Sequence, residues 1–127
     1  MQNNAIRTFE NLECWKAFRE LRIFIIREVV PVLPREEKWR LTDQIIKAAR
    51  STTANIAEGY GRFHYLDNAK FCSNSRGSCW ETLDHLITAK DENMISAEVL
   101  EKGRDLVNHS IKLINGYMKY LKKAAKS

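Results

Sequence analysis

The feature that most constrains the fold is a series of apolar and small side chains, spaced alternately three and four residues apart, in the C-terminal part of the chain. The series consists of Leu100, Gly103, Val107, Ser110, Ile114, Tyr117 and Leu121. This spacing places the side chains on one narrow face of an α-helix, as in helices that pack in bundles. An earlier series, broken only by Arg76, has the same spacing through Ala69, Cys72, Cys79, Leu83 and Leu86. The two series predict two long amphipathic helices.

Helix start and stop signals divide the 127 residues into four helical segments. Asn11, Asp67 and Ser96 are of types that cap helix N-termini, whereas Pro31 and Pro34 stop the first segment. The predicted helices cover about residues 11–30, 35–58, 66–90 and 96–123, and a basic tail follows. Because the connections are short, neighbouring helices should be antiparallel. We therefore predict an all-α fold in which a single domain forms an antiparallel up-down four-helix bundle.

The first predicted helix carries apolar side chains around most of its circumference, more than one bundle core can cover. Burying a large aliphatic side chain contributes about 1.5 to 3 kcal/mol, so several of them left in water would form a costly patch. We therefore predict a homo-oligomer in which another copy of the chain covers part of this helix. The predicted subunit interface comprises Trp15, Ile23, Phe24, Ile26 and Val30.

Positive charge is concentrated near the C-terminal end of the chain. The formal net charge is +5, yet residues 1–105 contain 16 basic and 16 acidic side chains. After Asp105 there is no acidic residue, and the whole excess is supplied by Lys112, Lys119, Lys122, Lys123 and Lys126. Such a segment is either a solvated helix end or an electrostatic arm for an anionic partner such as RNA.

Seven basic residues are candidates for contacts with nucleic-acid phosphates. They are Arg40, Lys47, Arg50, Arg62, Lys119, Lys122 and Lys123. The first three lie seven and three residues apart, which predicts one basic side on the second helix, although nearby acidic residues such as Asp43 leave a solvated face as the alternative. The sequence shows no aromatic-rich platform for single strands. We therefore expect contacts with the nucleic-acid backbone and little reading of bases.

The stretch NIAEGYGR, residues 55–62, resembles a phosphate-binding loop but lacks the strand and the third glycine of that motif. We predict instead a helix end, with Gly59 in the left-handed conformation of a C-cap and Gly61 at the turn that follows. Glu58 should then need a cationic partner such as Arg62, and Asn55 should bond backbone groups of the turn. In the next helix, the small residues Gly77 and Ser78 predict a close approach to a neighbouring helix.

Several classes of function lack support in the sequence. Three cysteines without a C-x-x-C pair, and three histidines far from them, give no metal-ligand spacing, so neither a metal nor another cofactor is predicted. Ser78 or Cys79 with Asp84 and His85 lacks an oxyanion loop, and we do not predict an enzyme. No apolar run is long enough for a membrane span and no signal segment is recognisable, so we expect a cytoplasmic protein without a membrane partner.

Four stretches together resemble the proteins encoded in intervening sequences of bacterial 23S ribosomal RNA genes. They are FENLECWKAFREL (9–21), LTDQIIKAA (41–49), SxxxNIAEGYGR (51–62) and SRGSCWE (75–81). Asn55, Glu58, Arg62 and Lys47 match the family pattern, whereas Arg50 stands where the family is usually apolar. The resemblance implies a four-helix protomer of a ring-like homo-oligomer, commonly a pentamer, with a basic surface that engages nucleic acid.

A structurally similar group of proteins supplies an alternative function. These are accessory proteins of diversity-generating retroelements, which bind a reverse transcriptase and its RNA. The resemblance therefore leaves two expectations open: a protein that binds RNA by itself, and an interaction module whose main partner is a reverse transcriptase.

Overall fold

The computed structural model describes residues 7–127, and within that range all regular secondary structure is helical. Its four long helices are α1 (Glu13–Phe24), α2 (Leu41–Tyr60), α3 (Tyr65–Asp91) and α4 (Ala97–Ala125). Short 3₁₀ turns occur at Phe9–Asn11, Val30–Val32 and Arg35–Glu37, and a π-helical segment covers Ile25–Val29. The all-α class predicted from the sequence is confirmed for these residues.

Neighbouring helices run antiparallel. α2 packs on α3, α3 on α4, and α1 lies against both α2 and α4. In each case residues early in one helix lie beside residues late in the other: Phe9 by Tyr60, Gly59 by Asn68, Leu86 by Gly103, and Phe24 by Gly103. The fully buried centre contains Phe18, Leu21, Ile25, Ile45, Ile56, Leu86, Ile114 and Leu121. None of the helices within residues 7–127 combines the length and the apolar character that a membrane crossing requires.

This packing creates two distinct ends. One end contains the start of α1, the end of α2, the start of α3 and the end of α4. We call it the aromatic end, because the exposed side chains of Phe63, Tyr65 and Tyr120 lie there. The opposite end contains the irregular segment after α1, the start of α2, the end of α3 and the start of α4.

The predicted helix limits need two main corrections. The first α-helix ends at Phe24, and α2 begins at Leu41 and not near residue 35, because Arg35–Glu37 form a separate 3₁₀ turn. The Glu37 carboxylate then accepts a hydrogen bond from the Leu41 amide at 3.2 Å, satisfying one of the free donors at the start of α2. Of the predicted caps, Ser96 is correct, since its Oγ accepts from the Val99 amide at 3.1 Å. Asn11 and Asp67 are wrong, because the N-cap positions of α1 and α3 are Leu12 and His64.

The apolar surface predicted on the first helix is smaller in the structure, because Phe24 is buried in the protomer core. In the π-helical segment the Val30 amide donates to the Ile25 carbonyl, five residues back, so the turn is wider than in an α-helix. Phe24, Ile25 and Val29 are all buried in the core. Of the predicted interface residues, Phe24 is buried, Trp15, Ile23 and Val30 are half-buried, and only Ile26 is exposed, with 37% of its surface accessible.

Gly59 also has a different role from the one predicted. It lies inside α2, no glycine in the described range has a positive φ, and the helix is capped by Gly61 in a right-handed conformation. A Cβ atom at position 59 would come within 2.8 Å of the Phe71 Cβ and 2.9 Å of the Asn68 carbonyl oxygen. Glycine is required because α2 and α3 approach each other closely there.

Two further residues of the helix junctions were misassigned. Asn55 does not reach the turn: its Nδ2 donates to the carbonyl oxygen and Oγ of Ser51, one turn back in α2. Gly77 is exposed with open space around it, so it plays no part in helix packing. Ser78 does lie at the α2–α3 contact, where its Oγ donates to Ser51 Oγ at 2.8 Å.

Candidate nucleic-acid interface

The strongest concentration of positive charge lies in a groove between α3 and the last turns of α4. This basic groove has a volume of about 470 Å³. Its lining consists of Arg76, Asn115, Met118, Lys119, Lys122, Lys123 and Lys126. Three of the seven predicted phosphate-contacting residues, Lys119, Lys122 and Lys123, therefore lie together in it.

The local sequence explains why these lysines share one side of α4. Positions 119, 122, 123 and 126 are separated by three, one and three residues, which keeps them on one helical face. Arg76 joins them from α3, where its Nη1 donates to Asn115 Oδ1 at 2.8 Å. This neutral acceptor positions the guanidinium and leaves its charge uncompensated.

The groove contains no neutralising carboxylate. Within residues 7–127, none of the ion pairs closer than 4 Å includes Arg76, Lys119, Lys122, Lys123 or Lys126. Cations at a helix C-terminus are also favoured by the helix dipole, which helps to hold this many lysines in one place. Five adjacent uncompensated cations produce a local field that attracts an anionic polymer.

The predicted stripe on the second helix is not part of the groove. Arg40 lies in the turn before α2, and Lys47 Nζ is paired with Asp43 Oδ2 at 2.9 Å. Arg50 lines a separate, shallow groove between α1 and α2, together with Trp15 and Arg22. Lys47 and Arg50 lie three residues apart on α2 as the spacing predicts, but neither lines the basic groove, and the charge of Lys47 is compensated.

Arg62 has the partner that was predicted for it. Its Nη2 lies 2.8 Å from Glu58 Oε2, and the guanidinium also stacks over the Phe71 ring at 4.6 Å from the ring centroid. The pair explains how a carboxylate is tolerated in the last turn of α2, where the helix dipole disfavours negative charge. It also makes Arg62 a weaker attractor of phosphate than the unpaired lysines.

The side chains considered for catalysis have other contacts. Ser78 bonds to Ser51, and His85 Nε2 lies 3.1 Å from Glu81 Oε2. Burial raises the pKa of the Cys79 thiol to about 12, so this sulfur stays protonated and a poor nucleophile at neutral pH. No group of three His, Cys, Asp or Glu side chains in the described range is arranged to hold a metal ion.

Two residues of the basic groove were not among the seven residues predicted from the sequence to contact phosphates. Arg76 appeared only as a break in the apolar series of the third helix, and Lys126 only as part of the C-terminal charge excess. The signal that would have identified Arg76 is a charged residue at a position of the apolar series, on the face of the helix that packs against its neighbours. Such a residue must reach the edge of the helix contact, where Arg76 meets Asn115.

Comparison with known proteins places the chain in a family. A profile of the family described as "23S rRNA-intervening sequence protein" matches residues 10–116. No curated protein matches the sequence. Arg76 and Asn115 lie inside the matched range, whereas the four lysines of the basic groove follow it.

Proposed function

We propose a function from the premise that this chain belongs to the 23S rRNA-intervening sequence protein family. The protein is non-enzymatic and holds the phosphate backbone of RNA in the basic groove. The observation that carries the proposal is the convergence of Arg76 with four lysines of α4, with no carboxylate within 4 Å among the described residues. The family name supports RNA as the anionic partner.

The chemistry of the groove favours backbone contacts over base recognition. Lysine ammonium groups are mobile point charges that bind phosphate without the fixed two-pronged geometry that arginine uses on bases. From Lys119 to Lys126 the helix rises by about 10 Å at 1.5 Å per residue, which corresponds to about three nucleotides of one strand. Such contacts position an RNA and carry little sequence information.

The test is binding of the purified protein alone to a 20-base-pair RNA duplex across a salt series. Replacing Lys119 and Lys122 by Gln should weaken binding about tenfold and reduce the slope of log affinity against log salt by about 1.5, because two phosphate contacts are lost. The matched control is Lys38→Gln with Lys47→Gln, which removes the same charge at the opposite end and should change affinity less than twofold.

Two outcomes would reject the proposal: affinity that does not depend on salt, or equal losses in the two double variants. The reverse-transcriptase alternative predicts that RNA binding requires the second protein. Binding by the isolated chain therefore also separates the two functions.

We also propose that copies of the chain associate. Since most of the apolar side chains of α1 are buried in the protomer, the support comes from exposed apolar side chains at the opposite end, where Trp39 is 79% and Val32 55% accessible. Association would repeat the basic groove around the assembly and strengthen binding to a long RNA. Sedimentation of the wild type at micromolar concentration should show a species larger than the protomer, and a monomer alone would remove this part of the proposal.

A further inference from the structure

The aromatic end exposes rings that contribute little to the protomer core. Phe63 lies in the turn between α2 and α3 with 92% of its surface accessible, and Tyr65 and Tyr120 are about half-exposed. His64 lies beside Phe63, with ring centroids 4.9 Å apart. We call Phe63, His64, Tyr65 and Tyr120 the aromatic platform. Contiguous exposed rings of this kind indicate a surface for binding a ligand or a partner macromolecule.

The platform borders a cleft with polar groups at its base. The cleft has a volume of about 280 Å³, and its lining includes Tyr60, Arg62, Asn68 and Tyr117 in addition to the platform residues. The Tyr117 hydroxyl accepts a hydrogen bond from Asn68 Nδ2 at 3.1 Å. Burial raises the pKa of Tyr117 to about 12, so the hydroxyl keeps its proton and can donate it to a carbonyl or ring nitrogen of a ligand.

The platform is continuous with the basic groove along α4. Tyr120 and Lys123 are three residues apart and therefore neighbours on the helix surface. Tyr120 stacks on Tyr117 toward the cleft, with ring centroids 6.2 Å apart and ring planes 15° apart, while Lys123 lines the groove. A strand crossing the outward side of α4 can therefore place its phosphates on the lysines and its bases on the rings.

A row of cations beside exposed aromatic rings is the arrangement by which proteins hold single-stranded nucleic acid. We propose that the aromatic platform stacks unpaired bases of an RNA whose phosphates occupy the basic groove, so that the protein prefers single-stranded to duplex RNA. This inference rests on the proposed function and specifies its ligand. The sequence hides the platform because its members come from the α2–α3 turn and from α4, more than fifty residues apart.

The experiment compares three labelled 12-nucleotide probes: an unstructured single-stranded RNA, its duplex, and a single strand of the same length without bases. Phe63→Ala and Tyr120→Ala should each weaken binding to the single strand roughly 5- to 100-fold, since each removes a stacked base. Binding to the duplex and to the baseless strand should stay within twofold of wild type. The salt slope should not change, because no phosphate contact is lost.

Matched variants control for folding and for nonspecific effects. Phe63→Tyr and Tyr120→Phe keep the rings and should bind the single strand within twofold of wild type. All replaced side chains are exposed, and urea unfolding of each variant should match the wild type.

Three results would overturn the inference. The first is unchanged single-strand affinity in both platform alanine variants, and the second is an equal loss for the duplex. The third is a change of sedimentation coefficient in those variants, which would make the platform a protein contact. If the wild type binds duplex RNA through its lysines but does not prefer single strands, this inference fails while the proposed function stands. If it binds none of the probes, both fail.

Discussion

The two ends of the bundle are built from helix termini of the same kind, yet their charges differ. The segments at the aromatic end, residues 7–17, 54–70 and 112–127, carry nine basic and four acidic side chains. The segments at the opposite end, residues 27–47 and 88–104, carry eight of each. The entire net charge of +5 is thus equal to the excess at the aromatic end.

The ends also differ in how their cations are compensated. At the opposite end Lys47 pairs with Asp43 and Lys102 with Glu28, both at 2.9 Å. At the aromatic end the four lysines of the basic groove have no such partner within the described residues. Exposed ion pairs contribute little to stability, so the main effect of pairing is on the field that a partner meets. A basic residue is a useful predictor of binding only when the positions of nearby carboxylates are known.

The largest expected effect on the free energy of unfolding comes from adding a methyl group at a close helix contact at each end. Gly59→Ala at the aromatic end should reduce the free energy of unfolding by about 3 kcal/mol, because the added Cβ would meet the Asn68 backbone oxygen at 2.9 Å. Gly103→Ala at the opposite end should cost about 1 to 3 kcal/mol, because the added Cβ would meet a Leu86 methyl group at 2.5 Å and the Phe24 ring at 3.1 Å, and both side chains are buried. Urea unfolding measures both.

Gly77→Ala is the control for these two variants. No atom lies within 4 Å of its new Cβ, so the higher helix propensity of alanine should stabilise the protein by about 1 kcal/mol. Equal stability of the variants at 59 and 77 would show that α2 and α3 are not in close contact.

An intermediate effect, on RNA affinity, is expected from adding a carboxylate beside a cation at the aromatic end and removing one beside a cation at the opposite end. Asn115→Asp places a carboxylate next to Arg76, with almost no change in shape, and should weaken RNA binding about tenfold at 0.1 M salt. Asp43→Asn removes the partner of Lys47 and should raise RNA affinity less than threefold, because one free cation there does not form a groove. Filter binding measures both changes.

One outcome of these two variants would contradict the proposed difference between the two ends. If Asp43→Asn raises affinity as much as Asn115→Asp lowers it, then the two ends attract RNA equally and the basic groove has no special role. The unfolding midpoint of each variant, measured in parallel, excludes a change of stability as the cause.

The smallest effect is expected from removing one exposed ion pair at each end. Glu58→Gln breaks the pair with Arg62, and Glu28→Gln breaks the pair with Lys102. Each should change the free energy of unfolding by less than about 0.5 kcal/mol, since water screens exposed pairs. A loss above 1 kcal/mol for Glu58→Gln alone would mean that this pair fixes the α2–α3 turn.

Two predictions that depend on neighbours along one helix were confirmed, although Asn11 and Asp67 do not cap their helices. Ser96 caps α4 as expected, and Glu58 meets Arg62 four residues away. Predictions were wrong where the outcome depends on another helix. Gly59 was assigned a left-handed turn, although its role is set by contact with α3, and Phe24 was assigned to a subunit interface, although it is buried beside Gly103 of α4.

The sequence by itself determined the helical class, the family and the position of the excess positive charge, because periodicity, motif strings and composition are properties of the chain. Only the tertiary structure decided which cations act together. Arg76 joins Asn115 from 39 residues away, which brings a cation of α3 to the lysines of α4. The antiparallel packing also collected the exposed rings at the same end as the unpaired lysines. The physical reason is that electrostatic and stacking interactions depend on distance in space, which the helix contacts set and the sequence spacing does not.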